Sequence, residues 1–384
     1  RIEKPEAKQN DFEAASFSET TTLDGKAVFT LGSADTRDDA MLGYVQAMYT
    51  YQMNLNSSFT GDDNLYVRIK TGNHGGFSTA KTEANTYLSA ANGNGDALRV
   101  DKIWYTRPVG ERSTVWVGPK IENYYMHGTT PSIYKPVLKA FTLGGNAAAY
   151  GASTSPGAGI AHKFDNGVAV STNFTTKKGN TTTGMLTDEG ATSWATQVGY
   201  TKPQYSISAI LNLKYNGWAD TSYFTTDDGA IRNGDGNSSN VGLRSWWRPE
   251  ETGTIIPSIS VGFDTSQRDN IDDSTSAYFV GFNWQDVFNA DDRVGFALGM
   301  PQRAKRDTVD PFLFEAYYEY KVNDSITLTP TVFGGTSKNA ANQEVDMSDP
   351  MARYTQAITK LAQLHCTYDE IAEFCDVSLS LIHI

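Results

Sequence analysis

The side chains of this chain whose types and spacing could do chemistry are cations, amides and aromatic rings, and they recur on one parity of alternating segments. Gln46, Gln52, Arg68, Lys70, Arg99 and Asp101 fall on the polar parity of segments whose other parity is apolar. A charge turned toward lipid at the membrane midplane costs about 2–4 kcal/mol. These residues are therefore assigned to a water-facing wall. The long segment between Pro119 and Gly157 adds Lys120, Lys135 and Lys139 against Glu122, a local positive excess in a chain of net charge −12. Lysines set across a narrow aqueous passage favour anions, whereas lysines pointing into bulk water select nothing, and both readings stand. Tyr124, Tyr125 and Tyr134 in the same segment either offer rings to a sugar or pack the segment onto its wall.

No catalytic set accompanies these residues. His74, His127 and His162 stand apart, and there is no Gly-x-Ser-x-Gly, zinc-type His/Cys spacing or phosphate-binding loop. No catalytic residue, metal ligand or cofactor is assigned, and the chain is read as a non-enzyme. Asn233-Gly234-Asp235-Gly236-Asn237 is similar to a calcium loop but lacks the closing bidentate Glu.

The elements that must position the wall residues are strands. Tyr 20, Phe 18, Trp 7 and Gly 34, with Thr, Ser and Asn between the apolar residues, suit strands and turns rather than helical bundles. No apolar run approaches the roughly 18 residues a transmembrane helix needs, which leaves a soluble protein or a membrane barrel. The acidic balance argues against nucleic acid as a partner. The two cysteines, Cys366 and Cys375, lie near the end, so Leu23 to Phe333 has none, as suits an oxidising periplasm.

Period-two alternation is the strongest signal. Val45, Ala47, Tyr49, Tyr51, Met53 and Leu55 form one face of their segment; Gln46, Met48, Thr50, Gln52 and Asn54 form the other. Tyr205 to Leu213 and Ile255 to Phe263 behave alike. The pattern predicts strands over 23–31, 41–55, 64–72, 98–106, 113–118, 158–164, 168–175, 194–200, 205–213, 241–248, 255–263, 277–284, 293–299, 312–320 and 326–333. Around Asp101 to Trp104 the alternation slips, with Lys102 on the apolar parity, which implies a bulge or a misplaced boundary. Between strands, long and tight connections are read as alternating to the end, the tight ones including Asp165-Asn166-Gly167 and Thr201-Lys202-Pro203-Gln204. Tight turns at one rim and long loops at the other are the plan of an outer-membrane barrel. Trp104, Tyr105, Trp116, Trp194, Tyr200, Trp246, Trp247, Phe263, Trp284 and Tyr320 near strand ends suit the membrane–water boundary, or alternatively the core of a sandwich.

Several segments carry a family resemblance: Phe17 to Lys26, Asp63 to His74, Thr114 to Met126, Pro131 to Val137, Gly144-Gly145-Asn146, Tyr150-Gly151 and Ser155-Pro156-Gly157. Over about Phe17 to Gly335 the chain resembles the Som-type porins of cyanobacterial outer membranes, a branch of the carbohydrate-selective porins that includes so-called iron uptake porins. That resemblance implies an all-β, sixteen-strand antiparallel transmembrane barrel in outer-membrane lipid, a homotrimer passing small hydrophilic solutes and inorganic ions. It also implies a preceding domain that grips peptidoglycan-linked polysaccharide. Sugars and iron both remain open as cargo, and the segment 119–157 becomes the constriction loop.

The expected organisation is a spacer end at 1–18, a barrel at 19–346 and a tail at 347–384. The opening, charged at Arg1, Glu3, Lys4, Glu6 and Lys8 without an initiator Met, reads as lying within a longer protein. Met351 to Leu364 has helical spacing, and Thr367-Tyr368-Asp369-Glu370 reads as a capping box. The final Leu379-Ser380-Leu381-Ile382-His383-Ile384 matches one frame of a widely used transposase sequencing adaptor. The tail is accordingly expected to be foreign and helical, with about fifteen strands present and the closing strand missing. The competing reading is a secreted, soluble all-β module that holds glycans on aromatic rows.

Overall fold

A computed structural model describes residues 20–34, 45–77, 87–145, 147–151, 154–218, 236–269, 274–305, 311–336 and the backbone of 357–364. The 1–18 spacer and most of Asn233–Asn237 lie outside them.

All fifteen strands predicted from alternation are present. They are β1 (Thr21–Ser33), β2 (Gln46–Ser57), β3 (Asn64–His74), β5 (Arg99–Val109), β6 (Ser113–Ile121), β7 (Ser155–Lys163), β8 (Val168–Thr176) and β9 (Thr192–Thr201). Then follow β10 (Tyr205–Lys214), β11 (Ser238–Trp247), β12 (Ser258–Arg268), β13 (Ser274–Gln285), β14 (Arg293–Ala304), β15 (Phe312–Lys321) and β16 (Ile326–Thr336). A two-residue strand, β4 (Asn92–Gly93), belongs to the connection after β3, and β17 (Ala357–Leu364) comes last. Each long strand pairs antiparallel with its sequence neighbour, and β17 pairs with both β16 and β1, so the sheet runs full circle.

The burial is inverted relative to a soluble sheet protein. Along β10, Ile207 is 60% and Leu211 44% exposed, while Ser206 is 1% and Asn212 0% exposed. β12 repeats this, with Val261 and Phe263 outward and Ser260 and Asp264 buried. A two-sheet sandwich requires the opposite arrangement, so the soluble-module reading fails on this point. The apolar parity faces lipid and the polar parity faces a filled lumen.

Three expectations need correction. The tail predicted as helix contributes a strand, Ala357–Leu364, seated between β16 and β1. Unpaired edges on both neighbours leave backbone groups that only a strand can satisfy, and this outweighs local helical spacing. The rest of 347–384 lies outside the described residues.

The second correction concerns the connections. Long and short ones alternate from β1 to β11, but 269–273 is shorter than 248–257. There β12 and β13 extend beyond their predicted ends toward the long-loop rim and consume the loop.

Third, Trp104 and Trp246 are buried on the lumen side rather than at the lipid boundary. Trp116 lies opposite Thr106 and Gly159 and packs against the Trp104 cluster.

The slip around Asp101 is a bulge. Register runs Arg68↔Lys102 and then Ile69↔Val100, so Asp101 is the extra residue and Lys102 is carried inward. At the tight rim, the Val168 amide donates to Asn166 Oδ1 at 3.0 Å, and Gly167 adopts φ 101°, a left-handed conformation open to Gly without Cβ cost.

Candidate functional site

The connection between β6 and β7 folds into the barrel and lies along the inner wall of β8 to β15. Lumen-facing side chains from successive strands hold its backbone. On β9, Gln197 Oε1 accepts from the Thr129 amide at 3.0 Å and Gln197 Nε2 donates to the Thr129 carbonyl at 3.1 Å. Trp246 Nε1 donates to the Thr130 carbonyl at 3.0 Å, and Asn212 Nδ2 to the Ala149 carbonyl at 3.0 Å. Ser260 Oγ accepts from the Ile133 amide at 3.1 Å, and Asn283 Oδ1 from the Lys135 amide at 3.1 Å.

Two charged anchors complete this seat. Arg244, paired with Asp264 at 2.7 Å and stacked on Tyr150, donates from Nε to the Leu143 carbonyl at 2.8 Å. Glu315 accepts the Tyr134 hydroxyl at 2.8 Å and the Val137 and Leu138 amides at 3.1 and 2.5 Å. Close approach also needs missing side chains: a Cβ on Gly262 would collide with the Gly144 carbonyl oxygen, and one on Gly281 would meet the Tyr134 ring at 2.6 Å.

The connection between β3 and β5 also turns inward. The Ser89 amide donates to the Val137 carbonyl at 2.6 Å, and the Lys139 amide to the Tyr87 carbonyl at 2.8 Å. Leu88, Leu138, Phe141 and Phe77 join an apolar cluster inside the barrel with Val28, Met48, Phe279 and Phe333. The loops thus fill the lumen along β8 to β15, reach β1 and β2 at Val28, Met48 and Thr50 and meet β5 through Glu122 and Tyr125, and the remaining wall of β1, β2, β3 and β5 is the freer side.

That free side is basic. Register places Lys26, Gln52, Lys70 and Arg99 in one row across the four strands, and Asp24, Asn54, Arg68 and Lys102 in the next. Arg68 Nε donates to Asp101 Oδ2 at 2.6 Å, and its Nη2 pairs with the same oxygen. Lys102 pairs with Glu122, which also accepts the Tyr124 hydroxyl. Burial pushes the Glu122 carboxyl up, but Lys102 and then Lys139 outweigh it and hold it down at about 2. Lys139, on the loop, is shifted down by burial, partly countered by Glu122. Burial alone drives His127 down to about 3, so its ring is neutral at physiological pH.

The predicted residues divide accordingly. Arg68, Lys70, Asp101, Glu122 and Lys139 come together, with Gln52 and Arg99 on the same wall. Gln46 instead reaches the Phe77 carbonyl at 3.5 Å. Lys120 is exposed and donates to the Val100 carbonyl at 2.8 Å, so it does not join the converging lysines. Lys135 is exposed and interacts with Arg293 and Glu319. Of the tyrosines, Tyr134 is a packing residue against Phe279 and Tyr317. Tyr124 and Tyr125 continue a stack through Trp104 to Tyr66, with centroids 4.4 to 4.8 Å apart.

Sequence reasoning missed Lys26, Lys102 and Glu315. Lys26 shares the inward parity of Asp24 and was visible from alternation; Lys102 was hidden by the bulge. Glu315 sits on the polar parity of β15, but its loop partners are about 180 residues away in sequence and left no local signal.

A closed antiparallel ring, apolar outside and with a loop folded inside it, is the architecture of an outer-membrane porin. The model of the carbohydrate-selective porin, OprB family, matches residues 1–333, and the chain belongs to that family. Uncharacterized protein alr4550 of Nostoc sp. (strain PCC 7120 / SAG 25.82 / UTEX 2576) is 23% identical over 383 residues, covering 88% of this chain and 65% of that protein. The chain therefore spans just under two thirds of that relative's length. Among solved structures, OprB of Pseudomonas putida at high pH has a TM-score of 0.57 at 12% identity, covering 94% of this chain and 96% of that one. A loop L8 deletion mutant of OmpT, an outer-membrane protein of Vibrio cholerae, has a TM-score of 0.55 at 10% identity, covering 90% and 99%. A mutant of the Rh. blastica porin has a TM-score of 0.55 at 9% identity, covering 90% and 100%. These three likenesses concern the fold alone.

Proposed function

We propose that this porin passes small hydrophilic solutes and inorganic ions passively, with an anion preference set where the loop lysine Lys139 faces the wall of Arg68 and Lys70. The observation carrying this reading is the division of charge. Asp101 and Glu122 are taken up by Arg68 and Lys102, while Lys26, Lys70 and Lys139 have no ion-pair partner among the described residues. An ammonium-rich wall disfavours free ferric and ferrous cations and admits anions and neutral sugars. The family description supports sugars as cargo. The Som-type resemblance supports a homotrimer and a tether to peptidoglycan-linked polysaccharide through a preceding domain.

Planar-bilayer recording tests the reading. Stepwise conductance is expected, with a reversal potential on the anion side in a KCl gradient. Lys70→Glu with Lys139→Glu is expected to move that potential toward the cation side. Absence of conductance steps would sink the pore, and an unmoved potential would sink the filter.

The barrel domain is proposed to span 19–346, with the segment from Met347 standing in for the native closing strand. Long-read sequencing of the source locus checks this, since an uninterrupted gene through the tail would refute it.

A further inference from the structure

We propose that the open side of the lumen holds a saturable site for a divalent oxyanion of phosphate character, gripped by Lys26, Lys70 and Lys139. The inference rests on the anion-preferring pore proposed above and goes beyond it, because selectivity by wall charge requires no residence at any one place.

Three arrangements point to a site. The first is spacing. Lys26 and Lys70 stand in one register row, separated by the β2 residue Gln52. Two inter-strand steps put their backbones about 10 Å apart, and two lysine side chains converging from that distance can share one small anion. The third cation, Lys139, belongs to the loop and lies near enough to interact electrostatically with both Lys26 and Lys70.

The second is fixation. Lys139 does not swing on a free loop: its amide donates to the Tyr87 carbonyl at 2.8 Å, and its own carbonyl accepts the Thr142 hydroxyl at 2.8 Å and amide at 3.1 Å. Glu315 clamps the preceding residue, Leu138. These bonds fix where the Lys139 side chain begins, which leaves only its rotamers to be ordered when an anion binds.

The third is charge without a partner, beside room. Arg68 and Lys102 already have carboxylates, whereas these three ammonium groups have none among the described residues. Like charges gathered where the dielectric is low repel one another. Chloride relieves one charge, and a dianion relieves two. Next to Lys26 lies a cavity of about 410 Å³ that also carries the hydroxyl-bearing residues Thr327 and Thr329, with Lys135 and Glu319 on its lining as well. Hydroxyl donors with ammonium groups suit the oxygens of a tetrahedral oxyanion. The source is either inorganic phosphate or the phosphate group of a small phosphorylated sugar, for which the cavity leaves room.

Calorimetric titration of inorganic phosphate into the detergent-solubilised full chain tests the site independently of conduction. Saturable binding is expected, and Lys26→Gln, Lys70→Gln and Lys139→Gln should each weaken it about tenfold, the loss of one charge-assisted hydrogen bond. Lys163→Gln, on the tight-turn rim, should leave it unchanged. In bilayers, phosphate should block chloride current saturably, with the same three variants shifting the half-blocking concentration. Glucose 6-phosphate binding more tightly than phosphate would assign the phosphorylated sugar, and the reverse would assign the inorganic ion; either supports the site. No saturable binding, or displacement of phosphate by glucose alone, would overturn it. A pore that prefers anions yet shows no phosphate block would overturn the site and leave the pore standing.

Discussion

The wall from β8 to β15 and the wall from β1 to β5 are built on the same alternation, yet their inward residues differ in kind. From β8 to β15 the inward parity is largely short and polar, Ser260, Gln197, Asn212 and Asn283 among them, with glycine where the loop comes closest. From β1 to β5 it is long and basic, with no loop backbone hydrogen-bonded to Lys26, Arg68 or Lys70 among the described residues. The difference teaches how one strand pattern makes both a scaffold and a filter. Side chains that end in an amide or hydroxyl and find a carbonyl become a seat. Lysines that find neither a carbonyl nor a carboxylate, Lys26 and Lys70 among the described residues, line the passage.

Breaking the seat should have the largest effect. Glu315→Ala removes the acceptor shared by the Tyr134 hydroxyl and the Val137 and Leu138 amides. Leaving such donors unpaired in a buried place costs about 1–3 kcal/mol each. The loop is expected to leave the wall, raising single-channel conductance about twofold and lowering the heat-modifiability midpoint on gels. Conductance equal to the wild type would mean that the loop is held by the apolar cluster around Leu138 and Phe141 alone.

Gly262→Val should come next. Its Cβ would collide with the Gly144 carbonyl oxygen, and overpacking of this kind costs about 1–3 kcal/mol. Conductance should change while the reversal potential stays near the wild-type value, because the basic wall is untouched. Gln52→Ala on the opposite wall meets no loop and should leave the loop in place. Equal effects from the two substitutions would remove the distinction between the halves.

Much of this scaffold was legible in the sequence because the rule behind it is local. Alternation from Tyr205 to Leu213 sorts residues by the solvent on each side, and a strand needs no distant partner to display that pattern. Arg68 and Lys70 were readable as wall residues for the same reason. Lys102 was not, since Asp101 adds one residue and reverses the parity behind it. The inward fold of Tyr87 to Ala91 was invisible as well. It depends on a pairing of Ser89 with Val137 between two loops, and loop sequences carry no period to reveal it. The strand at Ala357–Leu364 was misjudged because its spacing was weighed without the two unpaired edges that await it.

The filter half can be probed by pH with a smaller effect. Burial opposes ionisation of Glu122, but Lys102, Lys139 and the Tyr124 hydroxyl hold its carboxyl at about 2. A carboxyl depressed in the folded state stabilises that state above its ordinary range and loses this contribution only as pH falls through the depressed value. The wild type therefore keeps the Glu122 charge down to pH near 2. Lys102→Met removes the strongest counter-charge, so Glu122 should take up a proton at higher pH. Reversal potentials recorded from about pH 7 to about pH 4 should drift further toward the anion side in the variant than in the wild type. Parallel curves would show that Glu122 does not face the passage.

The smallest effect belongs to the rim, where neither half should feel it. Asp63, in the turn between β2 and β3, accepts the Tyr105 hydroxyl at 2.7 Å, the Ser58 hydroxyl at 2.9 Å and the Phe59 and Thr60 amides at 2.8 Å each. The Tyr105 hydroxyl bond first, and the turn donors together with it, hold its carboxyl well below the usual carboxylate range against the opposing effect of burial. With the folded value depressed, the contribution is full above the ordinary Asp range and fades as pH falls toward the depressed value. Asp63→Asn should lower the heat-modifiability midpoint by a few degrees at neutral pH, and the gap from wild type should narrow as the medium is acidified. Conductance and reversal potential should match the wild type in both media, because the turn contacts neither the loop nor the row of Lys26 and Lys70. A change in ion preference from this one substitution would show that the tight rim helps set the passage, and the division between seat and filter would have to include it.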